Sequence, residues 1–396
     1  MRFLILAPFG RCRRGTVGSR LLPLARALAA RGHETALLIP AWDCPEEVRG
    51  QGAGVRGQKS EGGPWGAEAV KVMTPELGVG WRGAYPALLG RLRREVEAFG
   101  PDALIVSKGL GYAGWVGRWW MRRDRRVVVD VDDLEVAWME ETGRNRLLAR
   151  LLTRQERELI RDAMGVTVAS RFLQAHWSPW RPRRSQRTSE VLGRADALKR
   201  FPSPMPYYLP NGLTPAATRA PVEANLPHAL LLTRGHDADA EMLARVWAQV
   251  SARVPQAELL IAGGWRPPFP VPNARILGWL PPDRYVQTIR SAAVCLFLPN
   301  KKPLVQAKSP ARALDCLAQG VPSLTLDVGE YGALVREAGG EPAPNEDTLI
   351  ARLQLLLTDA SARGRLSRAV FAAAPRLSWE CRAAGLEAWL SAFCQT

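Results

Sequence analysis

Short apolar runs alternate with amphipathic stretches along this chain, stop at a basic, proline-rich segment near its middle, and then start again. Its 396 residues are also long for one core. Together these observations predict an α/β protein of two Rossmann-like domains, each a parallel sheet with helices on both faces.

Arg2–Pro8 is a continuous apolar run, followed by RCRR rather than a cleavage site, and so reads as a first buried strand and not a signal peptide. Ser19–Ala30 has helical periodicity and stops at Gly32, and Glu34–Pro40 is a second strand. Residues Asp43–Gly80, rich in Gly, Glu and Lys, carry no clear period. Then follow helix Ala84–Phe99, strand Ala103–Val106, helix Gly114–Arg123, strand Arg126–Val131, helix Asn145–Met164, strand Val166–Ala169 and helix Arg171–His176. Ser178–Pro206 is basic and Pro-rich, and YYLPNGL supplies a turn signal near Tyr208–Thr214, where the halves join. Beyond it the sequence predicts strand His228–Thr233, helix Ala240–Arg253, strands Glu258–Ala262 and Asn273–Leu277, helix Asp283–Ser291 and strand Ala293–Pro299. Helix Ser309–Gln319 and strand Ser323–Val328 come next, then helical stretches Glu346–Thr358, Ala360–Ala373 and Ser378–Phe393.

Apolar content of 47% makes the chain globular, and no apolar run approaches the roughly 20 residues of a membrane span. The six cysteines show no paired metal spacing and several lie in apolar segments, which suits a reduced, cytoplasmic protein. Up to Pro210 there are 35 Lys+Arg against 22 Asp+Glu, a net +13 of the total +16. The first half therefore meets an anionic surface or ligand, or else reflects a general abundance of arginine.

The segment KSPARALDCLAQGVP, Lys308–Pro322, is the most informative. Ser309 suits a helix N-cap, Pro310 a first turn and Gly320 a stop. Ala311, Leu314, Leu317 and Ala318 make an apolar face, while Lys308, Arg312, Asp315 and Gln319 fall at i, i+4, i+7 and i+11, a single polar stripe. Two cations and a carboxylate thus sit where a strand meets a helix, the place where α/β sheets bind ligands. Helix N-termini and cations favour phosphate oxygens, and a carboxylate accepts hydrogen bonds from ribose hydroxyls. The stripe suits a nucleotide diphosphate; the other reading is a solvated outer face.

With both halves laid out, the chain resembles the GT-B glycosyltransferases of the retaining "group 1" (GT4) family over nearly its whole length. APFGRCRRGTVGSRLLPLARALAARGHETALLIP resembles the family's Gly-rich loop, helix and strand, and RQERELIRDAMGVTVASRFLQAHW a later helix–strand passage. YLPNGL resembles the domain crossover, KSPARALDCLAQGVP the donor motif, and LSWE at Leu377–Glu380 the start of the closing helix. The resemblance implies an acceptor-binding domain over 1–209, a donor-binding domain over 210–376, a deep interdomain cleft, and a helix in 377–396 that packs back on the first domain. It implies a nucleotide-sugar donor, an acceptor of open identity, and no bound metal or cofactor. Lys308 and Arg234 would hold the donor phosphates and Asp315 the ribose, with the helix beginning at Ser309 adding N–H groups. The sequence departs from the family pattern in three places. Asp315 stands where Glu is usual, Ala307 where an acid is common, and Ser107–Lys108 where a strand often ends in His. A degenerate nucleotide-binding relative is therefore the second reading.

Other motifs allow several readings. In VVVDVDDLE, Asp130, Asp132 and Asp133 suit a carboxylate cluster facing acceptor or sugar, structural strand-end acids, or a metal-binding DxD of a transferase or a Mg-dependent phosphatase. SKGLGYAG, Ser107–Gly114, contains a literal GxGxxG, read either as a dinucleotide fingerprint or as a turn with close helix packing. Gly15, Thr16 and Gly18 precede a helix whose N–H groups suit sugar or phosphate. His236, near Arg234 at a strand end, either approaches the donor or is a solvated loop residue. Trp115, Trp119 and Trp120 beside MRRDRR, and Trp177 and Trp180 before RPRRSQR, suit either a membrane interface or core packing. A site at the inner face of the plasma membrane follows from the first of these. No recognised nucleic-acid module is present.

Overall fold

The computed structural model describes residues 1–8, 15–40, 70–73, 85–141, 143, 146–178, 205–214 and 227–394. The RPRRSQR segment with Trp180, the RCRR run, and most of Asp43–Gly80 lie outside the described residues. The chain divides into two compact units, Met1–Pro210 with Arg382–Thr396, and Asn211–Cys381.

In the first unit the elements run β1 (Arg2–Leu6), a π-type turn (Val17–Leu21) leading into α1 (Leu22–Ala30), β2 (Glu34–Leu38), β3 (Val70–Met73), α2 (Tyr85–Phe99), β4 (Ala103–Ser107) and α3 (Gly111–Met121). They continue with β5 (Val127–Val131), α4 (Glu135–Glu141), α5 (Arg146–Asp162), β6 (Gly165–Val168), α6 (Arg171–Trp177) and β7 (Tyr207–Tyr208). The strands pair in parallel in the order β3-β2-β1-β4-β5-β6-β7. Central strands such as β4 and β5 are buried along their whole length, which is why they read as apolar runs apart from Ser107 and Asp130 near their C-terminal ends.

The second unit runs β8 (His228–Leu232), α7 (Ala240–Arg253), β9 (Glu258–Ala262), β10 (Ala274–Gly278), α8 (Pro282–Ser291), β11 (Val294–Phe297), α9 (Pro303–Gln306) and α10 (Ala311–Ala318). It ends with β12 (Ser323–Thr325), α11 (Gly329–Glu337), α12 (Glu346–Thr358), α13 (Ala360–Leu377) and the beginning of α14 (Trp379–Cys394). Its parallel sheet has the order β10-β9-β8-β11-β12. Two apolar clusters cover its faces, one around Trp247 and α12, the other around Leu314, Leu317 and Val370.

Most of α14 belongs to the first unit. Glu387 meets Arg31 and His33, and Trp389 stacks on Tyr207 at 5.1 Å. Gly165 has no room for a side chain because the Trp389 ring occupies the space. Two α/β units with parallel sheets match the predicted fold class.

Several elements depart from expectation. β3 falls within the stretch that shows no period, since an edge strand with its middle residues exposed needs no apolar alternation. YYLPNGL is not only a turn: Tyr207–Tyr208 extend the sheet beside β6. Helices α4, α9 and α11 were not anticipated; α9 is a single turn, and two glycines weaken the period of α11.

Candidate active site

In the second sheet the chain leaves β8 for β9 and β10 on one side, then crosses back to β11 and β12 on the other. The topological switch point therefore lies between β8 and β11, where the loops beyond the strand ends diverge and leave a crevice. Those loops are tied into one rim. The Asp239 amide donates to Leu298 O (2.9 Å), the Asn300 amide to Asp237 O (3.2 Å), and Asn300 Nδ2 to His236 O (3.0 Å).

Arg234 and His236 come from the first loop, Lys308 and Ser309 from the second, and Arg312 and Asp315 from α10. Lys308 Nζ lies 3.1 Å from His236 Nε2. Burial, then the nearby Lys308 charge, pushes the His236 ring below its usual pKa, so a neutral ring accepts from the ammonium. Arg312 donates to Leu232 O (3.0 Å) and pairs with Asp237 Oδ2 at 2.9 Å. Asp237 is buried and also accepts from Thr233 Oγ1 at 2.7 Å. Burial alone would raise its carboxyl, but Arg312 and Thr233 outweigh it and hold the group below its usual value. Arg234 is exposed and stands over the Trp279 ring at 5.5 Å, a cation–π contact. Burial of part of its guanidinium, together with Arg312, lowers its pKa. Beyond burial, Lys308, Arg312 and Arg234 thus all lie close enough to His236 to lower its pKa, beside the buried Asp237 carboxylate.

Asp315 accepts a hydrogen bond from Tyr285 Oη at 2.8 Å. The surrounding protein pushes its carboxyl up to about 6 against the pull of Tyr285 and Arg312. Its residue surface is nonetheless exposed, and water screens its charge. Gln319, the last member of the stripe, accepts from Arg290 Nε at 2.7 Å. Ala307 is fully buried, so the position where an acid was looked for faces the core.

One expectation is corrected here. Ser309 does not cap α10: the helix begins at Ala311 behind Pro310, whose backbone is outside the helical region. Pro310 has no N–H to offer, and the Ser309 hydroxyl instead accepts from the Asn211 amide at 3.0 Å. Sequence reasoning also missed Trp265 and Trp279. Gly235 (φ +93°) lies beneath the Trp265 ring and Gly264 beneath that of Trp279, positions where any side chain would collide. The GGW and GWL triplets were the available signal.

The first sheet has its own switch point between β1 and β4, and charge gathers nearby. Arg20, carried inward by the π-type turn, makes a two-point ion pair with Asp130 (Nε–Oδ2 2.8 Å, Nη2–Oδ1 2.6 Å), and Thr167 Oγ1 donates to Asp130 Oδ1 at 2.6 Å. Asp130 and Arg20 are almost completely buried. The expectation that Asp130 faces a ligand therefore gives way to a structural ion pair, and its enclosed oxygens do not suit a phosphatase nucleophile. Lys108, in the left-handed region at φ +51°, reaches Glu135 and lies 3.1 Å from Asp132 Oδ1. Burial lowers the ammonium pKa, but Asp132 and Glu135 more than offset this and raise it. Burial and Glu135 push the neighbouring Glu156 up to about 8, so it holds its proton at neutral pH. Asp133 accepts from the Leu134 amide at the start of α4. Among the described residues no group of three or more His, Cys, Asp or Glu is arranged to hold a metal.

Gly109 and Gly114 serve close packing: a side chain at either would strike Leu159 or the Gly109 carbonyl and Gln155. Gly15 O accepts both the amide (2.8 Å) and the hydroxyl (2.7 Å) of Ser19, Thr16 is half-buried, and Gly18 is exposed with open space beside it. Gly15, Thr16, Gly18 and the three aspartates belong to the first unit, the six donor-site candidates to the second.

Residues 15–189 match the family described as glycosyl transferase 4-like domain. Among curated proteins no sequence matches this chain. Solved structures share the fold at low identity. Sucrose-phosphate synthase from Thermosynechococcus elongatus superposes with TM-score 0.64 at 16% identity, covering 100% of each chain. TarM gives 0.63 at 9% identity over 99% of this chain and 98% of its own. WaaG, a glycosyltransferase involved in lipopolysaccharide biosynthesis, gives 0.53 at 14% over 97% and 98%.

Proposed function

We propose that this chain, a GT-B glycosyltransferase with a glycosyl transferase 4-like domain over residues 15–189, moves a sugar from a nucleotide-diphosphate sugar to an acceptor, with retention of configuration and without a bound metal. The observation that carries this reading is the gathering of Lys308, Arg312 and Arg234 about His236 at the β8/β11 switch point. As the glycosidic bond breaks, negative charge develops on the departing diphosphate. Lys308 and Arg234 are the groups placed to stabilise it. Arg312, held by Asp237 and the Leu232 carbonyl, positions the rim and adds to its field. The Ser309 hydroxyl accepts from Asn211, which turns its own proton outward as a donor to phosphate oxygen. Asp315 accepts from the ribose hydroxyls, and His236 stays neutral beside Lys308.

The first domain binds the acceptor, with the Gly15–Gly18 turn, Asp132 and Asp133 at its strand ends. Among the described residues no helix is long and apolar enough to cross a membrane. The net +13 of the first half favours an anionic membrane surface as a peripheral partner on the cytoplasmic side.

A thermal-shift series with UDP, GDP, ADP and their sugars, with and without Mg²⁺, tests the donor site, because a ligand of the native state raises the melting temperature. Metal-independent stabilisation by one nucleotide, lost in Lys308→Ala, is expected. Stabilisation without any sugar transfer or donor hydrolysis would leave a nucleotide-binding protein that has lost catalysis, the reading that buried Ala307 favours.

A further inference from the structure

We propose that the outward face of α5 is the surface by which the first domain seats itself on an anionic lipid bilayer. The proposal rests on the reading that this domain meets such a membrane, and it names the helix that does so.

Helical geometry divides α5 into two faces. Ala149, Glu156, Leu159 and Ile160 point inward and are buried. Gln155 fixes the helix to the start of α3, donating to Gly111 O and accepting from the Gly111 amide, both at 2.8 Å. On the opposite side Leu147 and Leu151, one turn apart, are 67% and 57% exposed, and Leu148 beside them is 47% exposed. A helix that has already buried one face against its domain ordinarily shows polar residues on the other. Here the outer row of the first two turns is leucine, flanked by exposed Arg150 and by exposed Arg154, whose guanidinium also pairs with Glu158 at 2.9 Å. Apolar side chains bordered by arginines are the composition of an interfacial helix, the apolar groups entering the acyl boundary and the guanidinium groups meeting lipid phosphates.

Neighbouring residues extend the surface. Arg118 of α3 pairs with Glu158 of α5 at 2.7 Å, and Trp115, one turn before Arg118 on the same face, is 45% exposed. Tryptophan favours the headgroup level of a bilayer. Trp119 is instead held between Arg93 and Arg123, with ring distances of 5.4 and 4.3 Å, and Trp120 is buried. A second copy of the chain is a poorer occupant. A row this short falls well below the roughly 800 Å² per partner of a stable interface, and self-pairing would oppose arginine to arginine. The inner side of α5 carries Glu156 to the Lys108 cluster at the ends of β4 and β5, so a bilayer on the outer side backs directly onto that end of the sheet.

The test is vesicle flotation of the purified full chain with phosphatidylglycerol–phosphatidylcholine and with pure phosphatidylcholine vesicles. The wild type is compared with Leu147→Ser/Leu148→Ser/Leu151→Ser and with Arg150→Gln/Arg154→Gln. Expected are salt-sensitive binding to the anionic vesicles only, and a loss of about tenfold or more in the leucine variant with its melting temperature unchanged. Wild-type protein that ignores anionic vesicles would overturn both this proposal and the membrane reading beneath it. Wild-type binding that the leucine variant retains would overturn the α5 assignment alone. Equal binding to pure phosphatidylcholine would overturn the anionic requirement. A dimer in light scattering that the leucine variant abolishes, with no vesicle binding, would assign the face to a second copy.

Discussion

At the ends of β4 and β5 the first domain buries its charges against one another, whereas at the ends of β8 and β11 the second gathers three cations about His236 with Arg234 exposed. Arg20 with Asp130, and Lys108 with Glu135 and Asp132, are buried pairs whose charge is consumed inside the protein. Arg312 pairs with the buried Asp237, Lys308 meets His236, and Arg234 beside them is exposed. Strand ends near the switch point thus carry a structural clamp in one sheet and the proposed anion site in the other. The difference lies in how deeply the charged groups are buried, since Arg20, Lys108 and Asp130 are enclosed while Arg234 and Asp315 reach the surface.

The largest expected effect breaks the clamp. Asp130→Ala strands Arg20 in the core and lowers unfolding free energy by about 3–5 kcal/mol, read from a denaturant midpoint, with nucleotide affinity of the remaining folded protein unchanged. A loss of nucleotide affinity at unchanged stability would erase the contrast between the two sheets. Next, Lys308→Ala leaves stability nearly untouched and weakens the nucleoside diphosphate by about 10- to 100-fold in calorimetric titration, the value of one charge-assisted hydrogen bond.

A third test uses pH. Glu156 titrates near 8 when folded, against 4.5 unfolded. Between these values the folded state holds the extra proton, so its contribution is fully present below 4.5 and is lost as pH rises through about 8. Wild-type stability should decline across that window, by at most about 1.4 kcal/mol per pH unit from this group, and Glu156→Gln should remove the slope. The smallest effect concerns Asp315. Its carboxyl ionises near 6, so nucleotide affinity should rise a few-fold as pH climbs through that value, as a charged acceptor forms for ribose. Asp315→Asn should bind independently of pH over the same range.

Much of the fold was legible because its signals are local. β4 and β5 are apolar runs but for Ser107 and Asp130, α7 was bounded correctly by its period, and the stripe of α10 does carry its polar side chains outward from Leu314 and Leu317. β3 was not legible, since an exposed edge strand has no apolar alternation to show. Within the site, Lys308, Arg312 and Asp315 could be named from spacing, but their partners could not. Nothing in SKGLGYAG announces that Lys108 is buried against Glu135, and nothing in VVVDVDD announces Arg20.

The sequence alone determined the alternation of strands and helices, the two-domain plan and the place where a helix meets a strand end with cations. Periodicity needs only residues a few positions apart, and burial of the apolar face enforces it. Only the tertiary structure decided which charges are consumed and which remain available. Arg20 meets Asp130 across 110 positions and Lys308 meets His236 across 72, and such pairs form only when parallel strands bring their C-terminal ends side by side.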